Sequence, residues 1–228
     1  MAIKLTTTAE ATKHVKCLTF GDSGTGKTTL CKTAPKPIII CAERGLLSLS
    51  DVDIPVIEVS NIADVVEAYE FVTGEDGKEF ETVCLDSISD IAETLLAKLK
   101  EESTDPRQAY GKLNDMCADI IKKFRDIPDK HVYFTAKNKR IEDQFTGITS
   151  WQPSMPGQTL GPALPYLFDF VIPLRIGVTP ENVEYRYLQT KADIQYLAKD
   201  RSGKLEPQEE PNLGKLFAKA LDPKTKRK

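Results

Sequence analysis

Residues 21–28 read GDSGTGKT, and the fold follows from this octapeptide. It satisfies G-x-x-x-x-G-K-[ST] through Gly21, Gly26, Lys27 and Thr28. The spacing has a chemical reason. Glycines let successive backbone N–H groups turn inward around a phosphate, and the helix that follows offers the positive end of its dipole. The lysine reaches the β- and γ-phosphates, and the hydroxyl is a ligand for Mg²⁺. The nucleotide-binding set is therefore Gly21, Asp22, Ser23, Gly24, Thr25, Gly26, Lys27, Thr28 and Thr29, with ATP and Mg²⁺ as the cofactors.

The flanks fit that reading. Residues 15–20 (VKCLTF) form an apolar strand running into the loop, and a helix is expected over 27–32, ended by Pro35 and Pro37. Working outward, strands are expected at 37–42 (PIIICA), 55–59, 82–85, 131–136 (HVYFTA), 168–176 and 185–189. Helices are expected at 62–72, capped by Ser60 or Asn61, and at 88–100, 108–125 and 212–221. Short, continuously apolar strands alternating with helices imply a mostly parallel α/β sheet covered on both faces, with antiparallel edge strands near the C-terminus. Residues 137–165, rich in Gly, Pro and Thr, are expected to be one long irregular segment.

Composition limits the function. The chain has 228 residues, 40% of them apolar, enough for one substantial core. Its 31 basic and 34 acidic residues give a net charge of −3, which excludes a protein that coats nucleic acid by bulk attraction. DNA contact would have to come from local patches. The start of the sequence lacks the pattern of a signal peptide, and no apolar run could span a bilayer, so the expectation is a cytoplasmic protein with no membrane partner. Cys17, Cys31, Cys41, Cys84 and Cys117 are scattered, and His14 and His131 are the only histidines, which argues against a disulfide framework or structural zinc.

Two acidic residues stand where α/β sheets bind ligands, at the carboxyl ends of strands. Asp86 ends the strand at 82–85 and suits a second Mg²⁺ ligand beside Thr28, although an aspartate there could instead cap the next helix. Glu43 follows the strand at 37–42 and could deprotonate the attacking water, or could be a surface glutamate paired with Arg44. In the long segment, Lys139 and Arg140 follow Lys137 and lie beside Phe145 and Trp151, a mixture of cations and aromatic rings suited to single-stranded DNA. Trp151 could equally pin the segment onto the core. Lys224, Lys226, Arg227 and Lys228 form a basic tail.

The order of GDSGTGKT, IIICAERGLLSL and TVCLDSIS resembles the RecA-type ATPase core, over roughly residues 15–189. The resemblance implies a RecA-like P-loop NTPase with catalytic Lys27, Glu43 and Asp86 and a phosphate sensor at Lys137 or Asn138. It also implies a DNA-binding loop over 138–161. More narrowly, IKLTTT, AERGLLSL, LDSISDI, HVYFTAK and LAKDRSGKL resemble the Sak-type single-strand annealing proteins of bacteriophages. A single core over 1–222 follows, with an arm at 1–14 and a tail at 223–228. The expected partners are single-stranded DNA, other copies in a ring or filament, and a single-strand-binding protein in the cytoplasm of a bacterial host. Such cores complete their site with a cation from the next subunit, for which Lys191, Lys199 and Arg201 are candidates, or else ordinary surface charges. The implied activity is a DNA-stimulated ATPase that anneals single strands. The alternative is an ATP-switched scaffold or packaging-type protein without DNA contact.

Overall fold

The computed structural model describes residues 13–43 and 45–226, together with Leu5 and Thr7. Most of the expected N-terminal arm, Arg44, Arg227 and Lys228 lie outside the described residues. The helices are α1 (Lys27–Leu30), α2 (Ile62–Thr73), α3 (Ile88–Glu102), α4 (Pro106–Arg125), α5 (Leu160–Leu167) and α6 (Leu213–Leu221). The strands are β1 (Lys16–Gly21), β2 (Pro37–Cys41), β3 (Val56–Glu58), β4 (Thr82–Leu85), β5 (His131–Glu142), β6 (Thr149–Ser154), β7 (Phe170–Val178), β8 (Glu184–Gln189), β9 (Lys199–Asp200) and β10 (Gln208–Glu209).

The strands form one sheet in the order β10-β8-β7-β1-β5-β4-β2-β3, with β6 added to β5 and β9 to β7. From β7 to β3 every neighbouring pair is parallel. The antiparallel pairs are β5–β6, β7–β8, β7–β9 and β8–β10. Successive side chains of a strand point to opposite faces, so each central strand feeds two cores. Leu18, Ile38, Ile40, Val83, Leu85, Val132 and Phe134 pack on one face with residues of α2, α3, α4 and α5. Cys17, Ile39, Cys41, Cys84 and Tyr133 pack on the other with Leu30, Leu213, Leu216 and Phe217. All five cysteines are free and buried.

Local signals account for the helix starts. Asn61 caps α2 by accepting from Asp64 N–H, Ser87 caps α3 by accepting from Asp90 N–H, and Asn212 caps α6 by accepting from Lys215 N–H. The helix expected at 27–32 is shorter as an α-helix and tightens into a 3₁₀ turn at Cys31–Thr33 before the two prolines.

Residues 137–165 are not an irregular segment. β5 continues six residues past the apolar stretch, from Lys137 to Glu142, and returns as β6, with Lys137 opposite Ser154 and Glu142 opposite Thr149. The turn is closed by Asp143, whose Oδ1 accepts from Phe145 and Thr146 N–H, and by Gly147 at φ 68°. α5 follows. The composition reads as loop because most of the hairpin is polar, with Trp151 packed against the core and Pro153 buried on β6, while pairing between the two strands supplies the backbone bonds.

Candidate nucleotide-binding site

The glycine-rich loop joins β1 to α1 at the carboxyl rim of the parallel strands. Gly24 and Gly26 take φ of 77° and 102°, the left-handed region that disfavours a Cβ. Thr25 is buried and its hydroxyl donates to Asp22 O at 2.9 Å, closing the loop on itself. From outside, Arg186 on β8 donates Nε–H to Thr25 O at 2.9 Å. Lys27 Nζ donates to Gly21 O and Asp22 O, each at 2.8 Å. Burial lowers the pKa of Lys27, while Asp86, Asp22 and Asp90 act to keep it charged.

The loop forms one wall of an open cleft of about 550 Å³. Apart from Thr25, every expected nucleotide-binding residue lines it. Glu43, Asp86, Ser87, Asp90, Lys137 and Asn138 stand around the remainder. The cleft thus gathers Lys27, Thr28, Glu43, Asp86 and Lys137 from β1–α1, the end of β2, the end of β4 and β5.

Asp86 is 9% exposed, and its Oδ1 accepts a short hydrogen bond from the Thr135 hydroxyl on β5. The peptide between Asp86 and Ser87 is cis. Because Ser87, one residue on, is the cap of α3, Asp86 is not the capping residue. Lys137 Nζ pairs with Asp90 Oδ1 at 2.6 Å and Glu93 Oε2 at 2.7 Å. These two carboxylates outweigh the cost of burial and raise the Lys137 pKa. Asn138 Nδ2 donates to Asp22 Oδ1 at 3.0 Å, and its own Oδ1 is buried without a partner.

A hydrogen bond to Asp90, together with the charge of Asp90 and burial, raises the Glu43 pKa. The Asp90 pKa is lowered: burial opposes its charge, but hydrogen bonds from Lys137, Ser87 and Glu43 prevail. Asp90 was not singled out from the sequence; its visible signal is the spacing S-x-x-D in Ser87–Asp90, which reads as a helix cap. Thr135 and Arg186 carry no local sequence signal, since both reach the site only through strand pairing.

The cleft suits a nucleotide with Mg²⁺. Thr28 and Asp86 offer hard oxygen donors, and the partnerless Asn138 Oδ1 lies at the same rim. Among the described residues no three His, Cys, Asp or Glu side chains are grouped to hold a metal. Mg²⁺ in phosphate sites is held by one or two protein oxygens and the phosphates themselves, which is the set present here.

The other expected residues are distributed differently. Strand geometry separates the basic cluster: Lys137 and Lys139 share one face of β5, while Arg140 points to the other. Lys139, Arg140 and Phe145 are exposed, Phe145 fully. Trp151 is half-buried, packs against the core, and stacks on Tyr196 with ring centroids 6.1 Å apart. Its backbone is bonded to Gln195 and Leu197. Of its two readings, pinning the segment is the one the packing matches. Lys199 and Arg201 sit at the opposite rim. Lys199 Nζ donates to Pro165 O and Phe168 O, and Arg201 pairs with Asp169 at 2.9 Å. Both are bonded within their own chain, at the rim away from the phosphate loop. Lys191 is exposed in a separate cleft beside Lys199, away from the loop.

A parallel sheet with a glycine-rich phosphate loop after β1 and an acidic residue at the end of β4, with β5 between those two strands, defines a P-loop nucleotide-binding domain. The family described as AAA domain matches residues 13–202, and the chain belongs to it. Nucleotide binding with ATPase-type chemistry is what that family carries. No curated protein matches the chain. Among the described residues no helix is long and apolar enough to cross a membrane.

Proposed function

We propose that this protein is a Mg²⁺-dependent ATPase that binds single-stranded DNA and couples the two events, acting in the annealing of single strands during phage recombination. The observation that carries the coupling is the course of β5. One unbroken strand passes from the buried sheet, through Lys137 and Asn138 at the nucleotide cleft, to an exposed hairpin bearing Lys139, Arg140 and Phe145. A shift of Lys137 or Asn138 would be felt along the same strand in the hairpin.

The residues divide the chemistry. The loop N–H groups and Lys27 bind the phosphates, and Thr28 and Asp86 hold the metal ion. Mg²⁺ supplies charge neutralisation on the phosphates. Thr135 orients Asp86 through its hydroxyl. Glu43 takes the proton of the attacking water at its carboxylate; a pKa raised above that of an ordinary glutamate makes it a stronger base. Lys139 and Arg140 follow a DNA backbone, and Phe145 offers a stacking surface. With so few cations, each subunit contributes a small, salt-sensitive affinity that assembly of several copies would multiply.

The test is ATP turnover with and without a single-stranded oligonucleotide at low and high salt. Stimulation that weakens with salt and is lost in the Lys139→Ala/Arg140→Ala/Phe145→Ala variant supports the reading. Turnover indifferent to DNA but dependent on protein concentration would remove the DNA half and leave an ATP-switched assembly.

A further inference from the structure

A second cleft, of about 410 Å³, adjoins the phosphate cleft and shares Gly24, Gly26 and Thr29 with it. The phosphate loop sets the direction of a bound nucleotide. Lys27 and Thr28, with Glu43, Asp86 and Lys137 around them, mark where the β- and γ-phosphates and Mg²⁺ belong. None of these five residues lines the second cleft. The α-phosphate, and the nucleoside attached to it, therefore run the other way, past Thr29. The second cleft suits that end. Leu30, Leu174 and Pro211 give it apolar walls, and its volume falls within the range of small-molecule sites.

Among the described residues that line it, the polar side chains are those of Thr29, Lys32, Thr33 and Arg186. Two of them are engaged elsewhere. Lys32 Nζ pairs with Asp51 at 2.8 Å. The Thr33 hydroxyl donates to Leu30 O at 2.7 Å and accepts from Leu213 N–H at 2.9 Å. Thr29 stands at the phosphate end. Arg186 lies along the loop: its Nε–H donates to Thr25 O at 2.9 Å, and its Cδ and Nε are 3.7 Å from the point where a Cβ on Gly26 would stand. Among the described residues its two terminal nitrogens have no hydrogen-bond partner. A planar guanidinium anchored beside an apolar cleft is a stacking surface for a base. It carries donors only, and no carboxylate or carboxamide side chain among these lining residues can read an exocyclic amine. We propose that Arg186 and this cleft hold the nucleoside end of the bound triphosphate by stacking, without choosing between adenine and guanine. The substrate class is then purine nucleoside triphosphates rather than ATP alone. The proposal rests on the nucleotide-binding reading above.

The experiment measures equilibrium binding of ATP, GTP and inorganic tripolyphosphate, each with Mg²⁺, to wild type and Arg186→Ala. Tripolyphosphate has the phosphates without a nucleoside. The ratio of ATP to tripolyphosphate affinity therefore isolates the nucleoside end from any loosening of the loop once the bond to Thr25 is lost. Wild type should bind ATP and GTP within about tenfold of each other, because stacking tolerates any base. Arg186→Ala should lower the ATP-to-tripolyphosphate ratio by about tenfold, the scale of one stacking contact. A ratio within about threefold of wild type overturns the role of Arg186. A preference beyond about tenfold for either purine overturns the base tolerance, since it requires a group that hydrogen-bonds the base. Should Arg186→Ala not fold, Arg186→Lys keeps the charge and removes the planar face; the same fall in the ratio supports the proposal, and an unchanged ratio overturns it. Failure of the nucleotide-binding reading looks different: wild type would bind neither ATP nor tripolyphosphate, or Lys27→Ala would bind both as tightly as wild type.

Discussion

At the amino rim of the parallel strands, cations are satisfied by their own chain. Lys16 Nζ donates to Ile127 O at 2.6 Å and Lys130 O at 2.8 Å, and burial lowers its pKa to about 8. Lys130 donates to Gly77 O and Phe80 O, and Lys199 to Pro165 O and Phe168 O. At the carboxyl rim the same side-chain types surround an open cleft, and Lys137 pairs there with Asp90 and Glu93. The difference is one of service. The lower rim uses charge to close chain turns; the upper rim holds charge ready for a ligand. Substitutions should therefore cost stability below and activity above.

The sharpest check is Lys27→Ala. It removes the cation of the phosphate loop but no core contact, so ATP hydrolysis should fall by at least about a thousandfold while the thermal midpoint stays within a few degrees. Near-normal turnover would break the comparison at its upper end.

Trp151 tests where the boundary runs, because it is an upper-rim residue whose contacts are structural. Trp151→Ala removes the stack on Tyr196, which itself lies under the Arg175 guanidinium at 4.0 Å from the ring centroid. A fully buried Trp→Ala costs about 3–5 kcal/mol, and for this half-buried ring about 2 kcal/mol is expected by urea denaturation. Phe145→Ala, at a fully exposed ring, should leave stability unchanged. Equal stabilities for the two variants would return Trp151 to the DNA-contact set.

At the lower rim, His131 Nδ1 accepts Val15 N–H at 3.0 Å, and the ring stacks on Phe217. Burial, with His14 and Lys16 nearby, lowers its pKa to about 4. Between pH 6.5 and 4 the unfolded chain binds a proton that the folded protein refuses, so stability falls as pH falls through that window. A loss of about 1–2 kcal/mol is expected, less than the full shift because the ring keeps some solvent contact. Denaturation curves at pH 7 and pH 4.5 for wild type and His131→Gln measure it; an equal loss in both proteins would reject His131 as the source.

Legibility of the sequence divides along the same line. The strands at 82–85 and 131–136 show as apolar runs because a parallel sheet buries both faces, and the phosphate loop shows because its chemistry needs fixed spacing. Asp86 shows as the acidic end of the run at 82–85, and Glu43 as that of the run at 37–42. The polar end of β5, and β6 with it, do not show, since their bonds are made to each other and no apolar periodicity marks them. Asp90 looks in sequence like the partner of the Ser87 cap because it is that partner; its ion pair with Lys137 depends on β5 standing beside β4, and that order is set by strand pairing rather than by any local pattern. Arg186 reaches the loop for the same reason, across β7 and β1.

The smallest effect is expected at Arg201, and it separates the two rims most cleanly. In sequence Arg201 is a reasonable trans-acting cation, because it follows the last strands of the core. In the structure its Nη1 lies 2.9 Å from Asp169 Oδ1, and its N–H donates to Asp169 O, at the start of β7 and away from the loop. Its side chain is 58% exposed, so the pair is a surface ion pair, and such pairs contribute about 0–1 kcal/mol. Arg201→Ala should therefore lower stability by about 0.5 kcal/mol, with the difference shrinking at high salt. Hydrolysis should stay within twofold of wild type at every protein concentration. A loss of turnover appearing only at concentrations where copies associate would put Arg201 in a neighbour's cleft after all, and would place one residue of the lower rim in the service of the upper.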